Sequence, residues 1–433
     1  MKASIRFTAL IFSVIIVISV TIIPSTAASA ISDRELDKSS FVTNYPFVFV
    51  HGMGGWGESN SYYSKSPHWG GGMKKSDTDL MKILRSRGVS AYAAQVGPFN
   101  SAWDRACELY AQLTGTVVDY GEAHSKAHNH DRYGFSDENN PLMGKPWNPK
   151  NKINLVGHSF GGATIRLFNS LMTYGSPEEL KATGSNTSDF FKGGHNSVHS
   201  VVTLSSPHNG AQICNLVYDS KIPFFILSFA YNFMGATLGN NFMFFSMQMS
   251  HFGLTPAQNK KIVLFNPVKS INYFSTNDSC YSDMTLRGAR ALNETIWLSP
   301  DTYYYSYTAT VTVPTGNSGK QKPVSSAGPV FKFTSGLVSL TEGKTYDGVK
   351  IQGDWTVHDG VVPLASALYP QCDKDTATDY ENALAKGQKI KKGRWYYMDT
   401  LEGMDHFDFC GTKDYPTAFE DFYFSIIENV NSR

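Results

Sequence analysis

The chain has almost no excess of charge of either sign. Its 433 residues include 38 Lys and Arg against 37 Asp and Glu, which gives a formal net charge of +1 at pH 7. Nucleic-acid-binding domains usually carry a strong basic excess, so this balance argues against such a function. The sequence is also 41% hydrophobic, which is too apolar for a disordered chain and predicts a folded globule.

Cysteine is scarce. The five cysteines are an odd number without a C-x-x-C pair, so at least one thiol is unpaired and a dense disulfide framework is excluded. We therefore expect the core to hold the fold, with one bridge between Cys372 and Cys410 as the pairing to test. The other cysteines are Cys107, Cys214 and Cys280.

Runs of membrane-spanning length are absent beyond the N-terminus. Two basic residues within the first six lead into an apolar stretch from Phe7 to Ile23, and Ala28-Ser-Ala30 follows as an A-x-A cleavage site. This order predicts a secretory signal peptide over residues 1–30, cleaved near Ala30, and a secreted, extracellular mature chain. Because the apolar stretch is slightly long, an uncleaved membrane anchor is the alternative.

The most informative stretch joins a short apolar run to a glycine-rich turn. Ile153 to Val156 has the length of the end of a buried strand, and Gly157-His-Ser-Phe-Gly161 then matches G-x-S-x-G. In a nucleophile elbow, small flanking residues let a strand turn sharply into a helix, which lifts the serine, here Ser159, clear of the sheet. The alternative is a glycine-rich turn with an incidental serine.

A second glycine-rich loop precedes the elbow. Tyr45 to Val50 is apolar on both faces, as expected of a central parallel strand, and it leads into His51-Gly-Met-Gly-Gly-Trp-Gly57. Esterases place one oxyanion donor in a loop of this kind. We expect the backbone N–H groups of Met53 and Phe160 to form an oxyanion hole; an ordinary loop is the alternative.

Histidines concentrate in one segment. His124, His128 and His130 fall within seven residues, although the chain has only 12 histidines. Imidazole is a common metal ligand, and His124 and His128 would share one face of a helix. The segment therefore favours a metal site, and a solvated histidine-rich loop is the alternative.

These motifs together resemble a known family, the zinc-containing true lipases of Gram-positive bacteria, of the thermostable bacillus and staphylococcal type. The shared blocks are Val50-His-Gly52, Gly55-Trp-Gly57, Val96-Gly-Pro98, Trp103-Asp-Arg-Ala-Cys-Glu108, Tyr110-Ala-Gln-Leu113, Thr116-Val117, Asp119-Tyr-Gly121, Ala123-His124, Gly157-His-Ser159, Ser206-Pro-His208, Asp359-Gly360 and Asp405-His406. They span most of the mature chain, with gaps in the expected lid and around residues 310–350.

The resemblance implies a fold and an activity. The fold class is α/β: an α/β-hydrolase fold with a mostly parallel central sheet in a single domain over residues 31–433, with a zinc-bound extra region about 100–135. The activity is that of a secreted triacylglycerol-lipase-type ester hydrolase. An extracellular polyester hydrolase or short-chain esterase is the alternative, and a non-catalytic secreted binding protein is a remote one. The implied partner is a lipid or polyester ester at an interface, with no nucleic acid and no obligate protein partner.

We expect an apolar lid at about residues 211–250. Ile213 to Phe245 is rich in Phe, Ile, Leu and Met, but 222–234 is too short and too polar to span a bilayer securely. A mobile apolar cover over Ser159 suits an enzyme that works at a lipid surface. Plain core is the alternative. Further along, Pro300 to Phe333 has a strand-like pattern.

The resemblance also assigns the catalytic residues. Asp359 matches the acid of the family's triad and His406 matches its general base. The order Ser159, Asp359, His406 is the one that hydrolases of this fold use. Asp354 is the alternative acid, and Asp405 is too close to the histidine in sequence to orient its ring.

The implied metal ligands follow residue by residue. The family's zinc ligands match Asp104, His124 and His130, which leaves His128 outside the site. Ser250 stands where the family has its fourth ligand, an aspartate, so we expect the neighbouring His251 to complete a tetrahedral structural site. The family's calcium ligands are approximated by Asp408 and Asp414, which is a weaker match because fewer suitable oxygens are present.

Overall fold

The computed structural model describes residues 42–60, 63–64, 66–71, 78–136, 140–218, 248, 250–252, 276–316, 320–411 and 416–433. The expected signal peptide and most of the expected lid lie outside these residues. Among the helices in the described ranges, none is both long enough and apolar enough to cross a membrane.

The centre of the molecule is a parallel β-sheet of seven strands. Their bounds are β1 Phe47–Val50, β2 Ala91–Ala94, β5 Ile153–His158, β6 Val198–Leu204, β7 Tyr303–Tyr307, β13 Thr378–Asp379 and β14 Trp395–Tyr397. The order across the sheet is β13-β14-β7-β6-β5-β1-β2, and every neighbouring pair is parallel. β1, β5 and β6 are buried along their whole length, as expected of central parallel strands.

Two apolar clusters cover the two faces of this sheet. Val48 and Val50 belong to one cluster, whereas Phe47 and Phe49 belong to the other. This alternation follows from the two-residue period of a strand. The first cluster includes residues of the helices Ala102–Thr114 and Gly161–Tyr174, and the second includes residues of Leu80–Ser86 and Pro416–Asn431.

The helices and the remaining strands surround the sheet. The helices are α1 Leu80–Ser86, α2 Ala102–Thr114, α3 Glu122–His128, α4 Gly161–Tyr174, α5 Pro177–Thr183, α6 Gln212–Tyr218, α7 Cys280–Asp283, α8 Leu286–Thr295, α9 Pro329–Ser339, α10 Leu364–Ala367, α11 Tyr380–Ala385 and α12 Pro416–Asn431. The other strands are β3 Val117–Asp119, β4 Tyr133–Ser136, β8 Ala309–Thr310, β9 Thr312–Pro314, β10 Gln321–Pro323, β11 Thr345–Tyr346, β12 Val349–Lys350 and β15 Leu401–Glu402.

Two expectations from the sequence are wrong. The strand-like pattern ends before Pro329, because α9 begins there with proline in its first turn, a position where the missing N–H costs nothing. Cys372 and Cys410 do not form a disulfide: all five cysteines are free, with Cys372 exposed and Cys410 buried. Parity and spacing gave no information about where the two thiols lie in space.

Candidate active site and metal site

Ser159 occupies the turn between β5 and α4. Its φ of 55° is in the left-handed region, which is strained for a residue with a side chain. A Cβ at Gly157 would lie 2.6 Å from the backbone of Gly161, and a Cβ at Gly161 would overlap the carbonyl oxygen of Val50. Both glycines are therefore required for β5, β1 and α4 to pack this closely. The motif does form a strand-to-helix elbow.

The structure pairs His406 with Asp359. His406 Nδ1 lies 2.7 Å from Asp359 Oδ2, and the amide of His406 donates to the carbonyl oxygen of Asp359 at 3.0 Å. Because an ionised carboxylate only accepts, Nδ1 carries the proton and Nε2 is left with its lone pair. The other carboxylate oxygen, Oδ1, accepts from the amides of Val361 and Val362 at 3.0 and 2.8 Å.

These contacts keep Asp359 ionised although it is fully buried. Burial alone would raise the pKa of this carboxyl, but electrostatic attraction to His406 and the hydrogen bonds from its ring and from the two amides lower it below its ordinary value. Asp354, the alternative acid, is exposed on the short turn Gly353–Trp355. Asp405 instead accepts from the amides of Phe407 and Gly328 at 3.2 and 3.3 Å.

The loop after β1 lies directly against Ser159. A Cβ at Gly52 would lie 2.6 Å from Ser159 Cβ and 3.1 Å from Ser159 Oγ, so only glycine fits there. Met53 follows Gly52, and Phe160 follows Ser159 as the residue that caps α4. The two backbone segments expected to form the oxyanion hole are therefore adjacent to the serine.

Arg105 is a site residue that the sequence reasoning did not assign. Its guanidinium is fully buried, donates to the carbonyl oxygens of His51 and of Gly97, the latter at 2.9 Å, and donates to Thr164 Oγ1 at 2.9 Å. It thereby ties α2 to α4 and to the loop beside Ser159. The Trp103–Glu108 block was its only signal, and that block marked the family without giving this role.

A second group of polar side chains forms what we call the metal cluster: Asp104, His124, His130 and Asp278. One ligand atom from each lies within 4.8 Å of the other three. His124 Nε2 is 3.3 Å from Asp104 Oδ1 and 3.2 Å from Asp278 Oδ2, and His130 Nε2 is 4.0 and 3.3 Å from the same two oxygens.

The metal cluster fits a tetrahedral ion. Bonds of about 2.0–2.1 Å to Zn²⁺ would set the ligand atoms about 3.3 Å apart, close to the separations seen here. Asp104 Oδ1 and His130 Nε2 are buried and have no hydrogen-bond partner within the described residues. Buried polar atoms are costly when unpaired, so the convergence of these atoms is compatible with a cation between them.

The charges in the metal cluster point the same way. Burial opposes a charge on His124, yet the nearby carboxylates of Asp278 and Asp104 raise its pKa to about 10. The His124 charge, opposing burial, holds the pKa of Asp278 well below its ordinary value. Two buried carboxylates thus attract positive charge, and a divalent cation would balance them.

The fourth member of the metal cluster is Asp278, where the sequence analysis expected His251. His251 is buried beside the cluster, with Nε2 3.0 Å from Asp104 Oδ2, whereas His124 and His130 contact Asp104 Oδ1. His128 is outside the four-residue group, and its ring centroid lies 4.5 Å from that of His124. Asp278 was missed because a lone aspartate so distant in sequence from the histidines gives no spacing signal.

The calcium prediction gains little from the structure. Asp408 is buried, and its Oδ2 accepts from the amide of Asp405 at 2.6 Å. Asp414 lies outside the described residues.

A seven-stranded parallel sheet with a serine elbow and a later Asp–His pair defines an α/β-hydrolase, as predicted. Residues 43–431 match the family described as lipase-like, C-terminal domain, and the chain belongs to this family. The predicted resemblance to lipases of Gram-positive bacteria is thereby confirmed.

Curated relatives agree with the family match. A lipase of Staphylococcus epidermidis is 33% identical over 385 residues, which cover 88% of this chain and 52% of the relative. Lipase 2 of Staphylococcus aureus is 31% identical over 399 residues, which cover 90% of this chain and 54% of the relative. The chain therefore spans about half the length of these relatives.

Solved structures share the fold. EstA from Clostridium botulinum has 31% sequence identity and a TM-score of 0.76, with 95% of this chain and 93% of that chain covered. Staphylococcus hyicus lipase has 28% identity and a TM-score of 0.74, with 94% and 98% covered.

Proposed function

We propose that the chain is a secreted carboxylic-ester hydrolase of the triacylglycerol-lipase type. The observation that carries the proposal is the geometry of Asp359 and His406 in a chain whose Ser159 sits in a strained elbow. This arrangement supplies a nucleophile, a base with a fixed tautomer and a buried carboxylate to orient it. The named activity of the staphylococcal relatives supports the same reaction class.

In the proposed reaction, His406 Nε2 takes the proton of Ser159 as Oγ attacks the ester carbonyl carbon. The carbonyl oxygen becomes an oxyanion, which the N–H groups of Met53 and Phe160 stabilise. The imidazolium then gives its proton to the departing alcohol, which leaves the acyl group on Ser159. Water attacks this acyl-enzyme with His406 again as base, so the acid is released and Ser159 regains its proton.

Asp359 acts through His406. It holds Nδ1–H in place and stabilises the positive charge that appears on the ring at each proton transfer. Arg105 acts one step further away, because it fixes the carbonyl oxygen of His51 and so the loop that carries Met53.

We further propose that the metal cluster binds zinc, with Asp104, His124, His130 and Asp278 as ligands. Bound zinc would supply a structural crosslink between α2, the segment around α3 and the chain before α7. His251 would hold the free oxygen of Asp104, which is the role that outer-shell partners play at metal sites. None of these residues belongs to the catalytic set, so the crosslink serves stability.

We make three further proposals, which rest on the sequence. They are secretion with cleavage near Ala30, an apolar lid at about 211–250 that contacts lipid, and calcium at Asp408 and Asp414.

One assay tests the proposed activity. Initial rates are measured in parallel on an emulsified long-chain triacylglycerol and on a soluble short-chain ester, with Ser159→Ala as the control. Faster turnover of the emulsion supports the lipase. If only the soluble ester is hydrolysed, the protein is a short-chain esterase. If the rates on both substrates are no higher than those of Ser159→Ala, the proposal of a hydrolase is rejected.

A further inference from the structure

Three buried side chains close to His406 form a second cluster, here called the thiol cluster: His68, His158 and Cys410. The ring centroids of His158 and His406 are 4.7 Å apart. One ligand atom of each lies within 4.8 Å of the others. Cys410 Sγ is 3.5 Å from His68 Nε2 and 3.4 Å from His158 Nδ1. The residues come from the turn His68–Gly71, the end of β5 and the turn Asp408–Cys410.

The separations match those around a metal ion. A tetrahedral zinc with bonds of about 2.3 Å to sulfur and about 2.05 Å to nitrogen sets sulfur and nitrogen about 3.5 Å apart. The same separations also suit hydrogen bonds, because the thiol can donate to His158 Nδ1 while its sulfur accepts from His68 Nε2–H, and the titration below distinguishes the two arrangements.

The ring of His158 is already oriented as a ligand. Its Nε2 lies 2.8 Å from the carbonyl oxygen of His406, an acceptor, so Nε2 carries the proton. The lone pair is therefore on Nδ1, the atom that faces Cys410. A ligating histidine that donates its other N–H to a backbone carbonyl is the usual arrangement at metal sites.

The thiol cluster is buried among aromatic rings. The ring of His68 packs edge-to-face against Trp56 and Trp69, at centroid distances of 5.0 and 5.5 Å. Burial lowers the pKa of His68 to about 3 and that of His158 well below its ordinary value. Both rings are thus neutral, the state in which imidazole binds metals.

We propose that His68, His158 and Cys410 form a second metal site, which binds a thiolate-seeking ion of the Zn²⁺ class. Binding replaces the thiol proton, which leaves to solvent, with a metal–sulfur bond and involves no oxidation or reduction. Soft sulfur distinguishes this site from the oxygen-rich metal cluster. An ion here would join three segments distant in sequence, one of which is hydrogen-bonded to the backbone of His406.

The test is a cobalt titration of the purified protein after dialysis against a chelator, so that zinc does not already occupy the thiol cluster. A thiolate bound to Co²⁺ gives a sulfur-to-metal charge-transfer absorption in the near ultraviolet. The metal cluster contains no sulfur, so success or failure there does not affect this signal. We expect the absorption to saturate at about one equivalent of Co²⁺, and zinc in excess to displace it.

Two substitutions locate the site. Cys410→Ser should abolish the absorption, whereas the matched control Cys372→Ser, which removes the exposed thiol, should retain it. His68→Gln keeps the thiol and should weaken Co²⁺ binding by about tenfold or more, which provides a second measurement if Cys410→Ser does not fold. Absence of the absorption in the unsubstituted protein, or its persistence in Cys410→Ser, would overturn the proposal.

Discussion

Within the part of the chain that the structure describes, aspartate and histidine contact each other at Asp359–His406 and in the metal cluster. In the catalytic pair each oxygen of Asp359 is hydrogen-bonded, and the proton position on His406 is fixed by its partner. In the metal cluster Asp104 Oδ1 and His130 Nε2 lie 4.0 Å apart, and neither atom has a hydrogen-bond partner within the described residues. In the proposed function, the pair whose hydrogen bonds are complete transfers protons, and the cluster with unpaired atoms holds a cation.

The largest expected effect is a loss of activity that leaves the metal cluster unchanged. Ser159→Ala should lower kcat by roughly 10⁴- to 10⁶-fold, because only binding and the oxyanion hole remain. Its zinc content and melting temperature should stay unchanged, since Ser159 lies outside the metal cluster. Steady-state rates measure kcat, elemental analysis measures the zinc content, and thermal unfolding measures the melting temperature. Near-normal hydrolysis would refute the nucleophile.

The next effect tests which acid belongs to the pair. Asp359→Asn should reduce kcat by about 10⁴-fold, because an amide stabilises the wrong imidazole tautomer and no positive charge. Asp354→Asn is the matched control and should retain normal activity, since Asp354 is exposed. If the two variants exchanged these results, the acid would be Asp354.

The third prediction concerns metal loss. His130→Ala should lose about one equivalent of zinc per chain and should melt at a lower temperature, because binding free energy adds to folding free energy. Each kcal/mol lost corresponds to roughly 2 °C in a large domain. Initial rates at low temperature should persist.

His128→Ala is the control for metal loss and should keep both zinc and melting temperature. Asp278→Asn and His251→Ala decide the fourth position. Loss of zinc in Asp278→Asn with retention in His251→Ala supports Asp278, and the reverse result would assign the position to His251.

The smallest effect is a pH dependence in the catalytic pair. Since the folded-state pKa of Asp359 is below the unfolded value of about 3.9, its ionised contacts stabilise the fold above that pH. This stabilisation is lost as pH falls through the folded pKa. The difference in unfolding free energy between the unsubstituted protein and Asp359→Asn should therefore shrink below about pH 4. A difference that is independent of pH would contradict this account.

Local patterns carried most of what the sequence revealed. The elbow around Ser159 and the buried strands β1 and β5 were predictable because neighbouring residues determine a turn or a strand. The fourth cluster member was not, because Asp278 is brought to His124 only by tertiary packing. The supposed Cys372–Cys410 bridge failed for the same reason: pairing depends on positions in space.

Asp104 and Arg105 are consecutive in the first turns of α2, yet one faces the metal cluster and the other the loop beside Ser159. Successive residues of an α-helix point about 100° apart, so the two directions are fixed relative to each other by the backbone. A single inserted or deleted residue just before Asp104 would rotate both side chains out of place together. Length variation in evolution should therefore be excluded from this turn, and the tolerance of the family to insertions should begin only outside it.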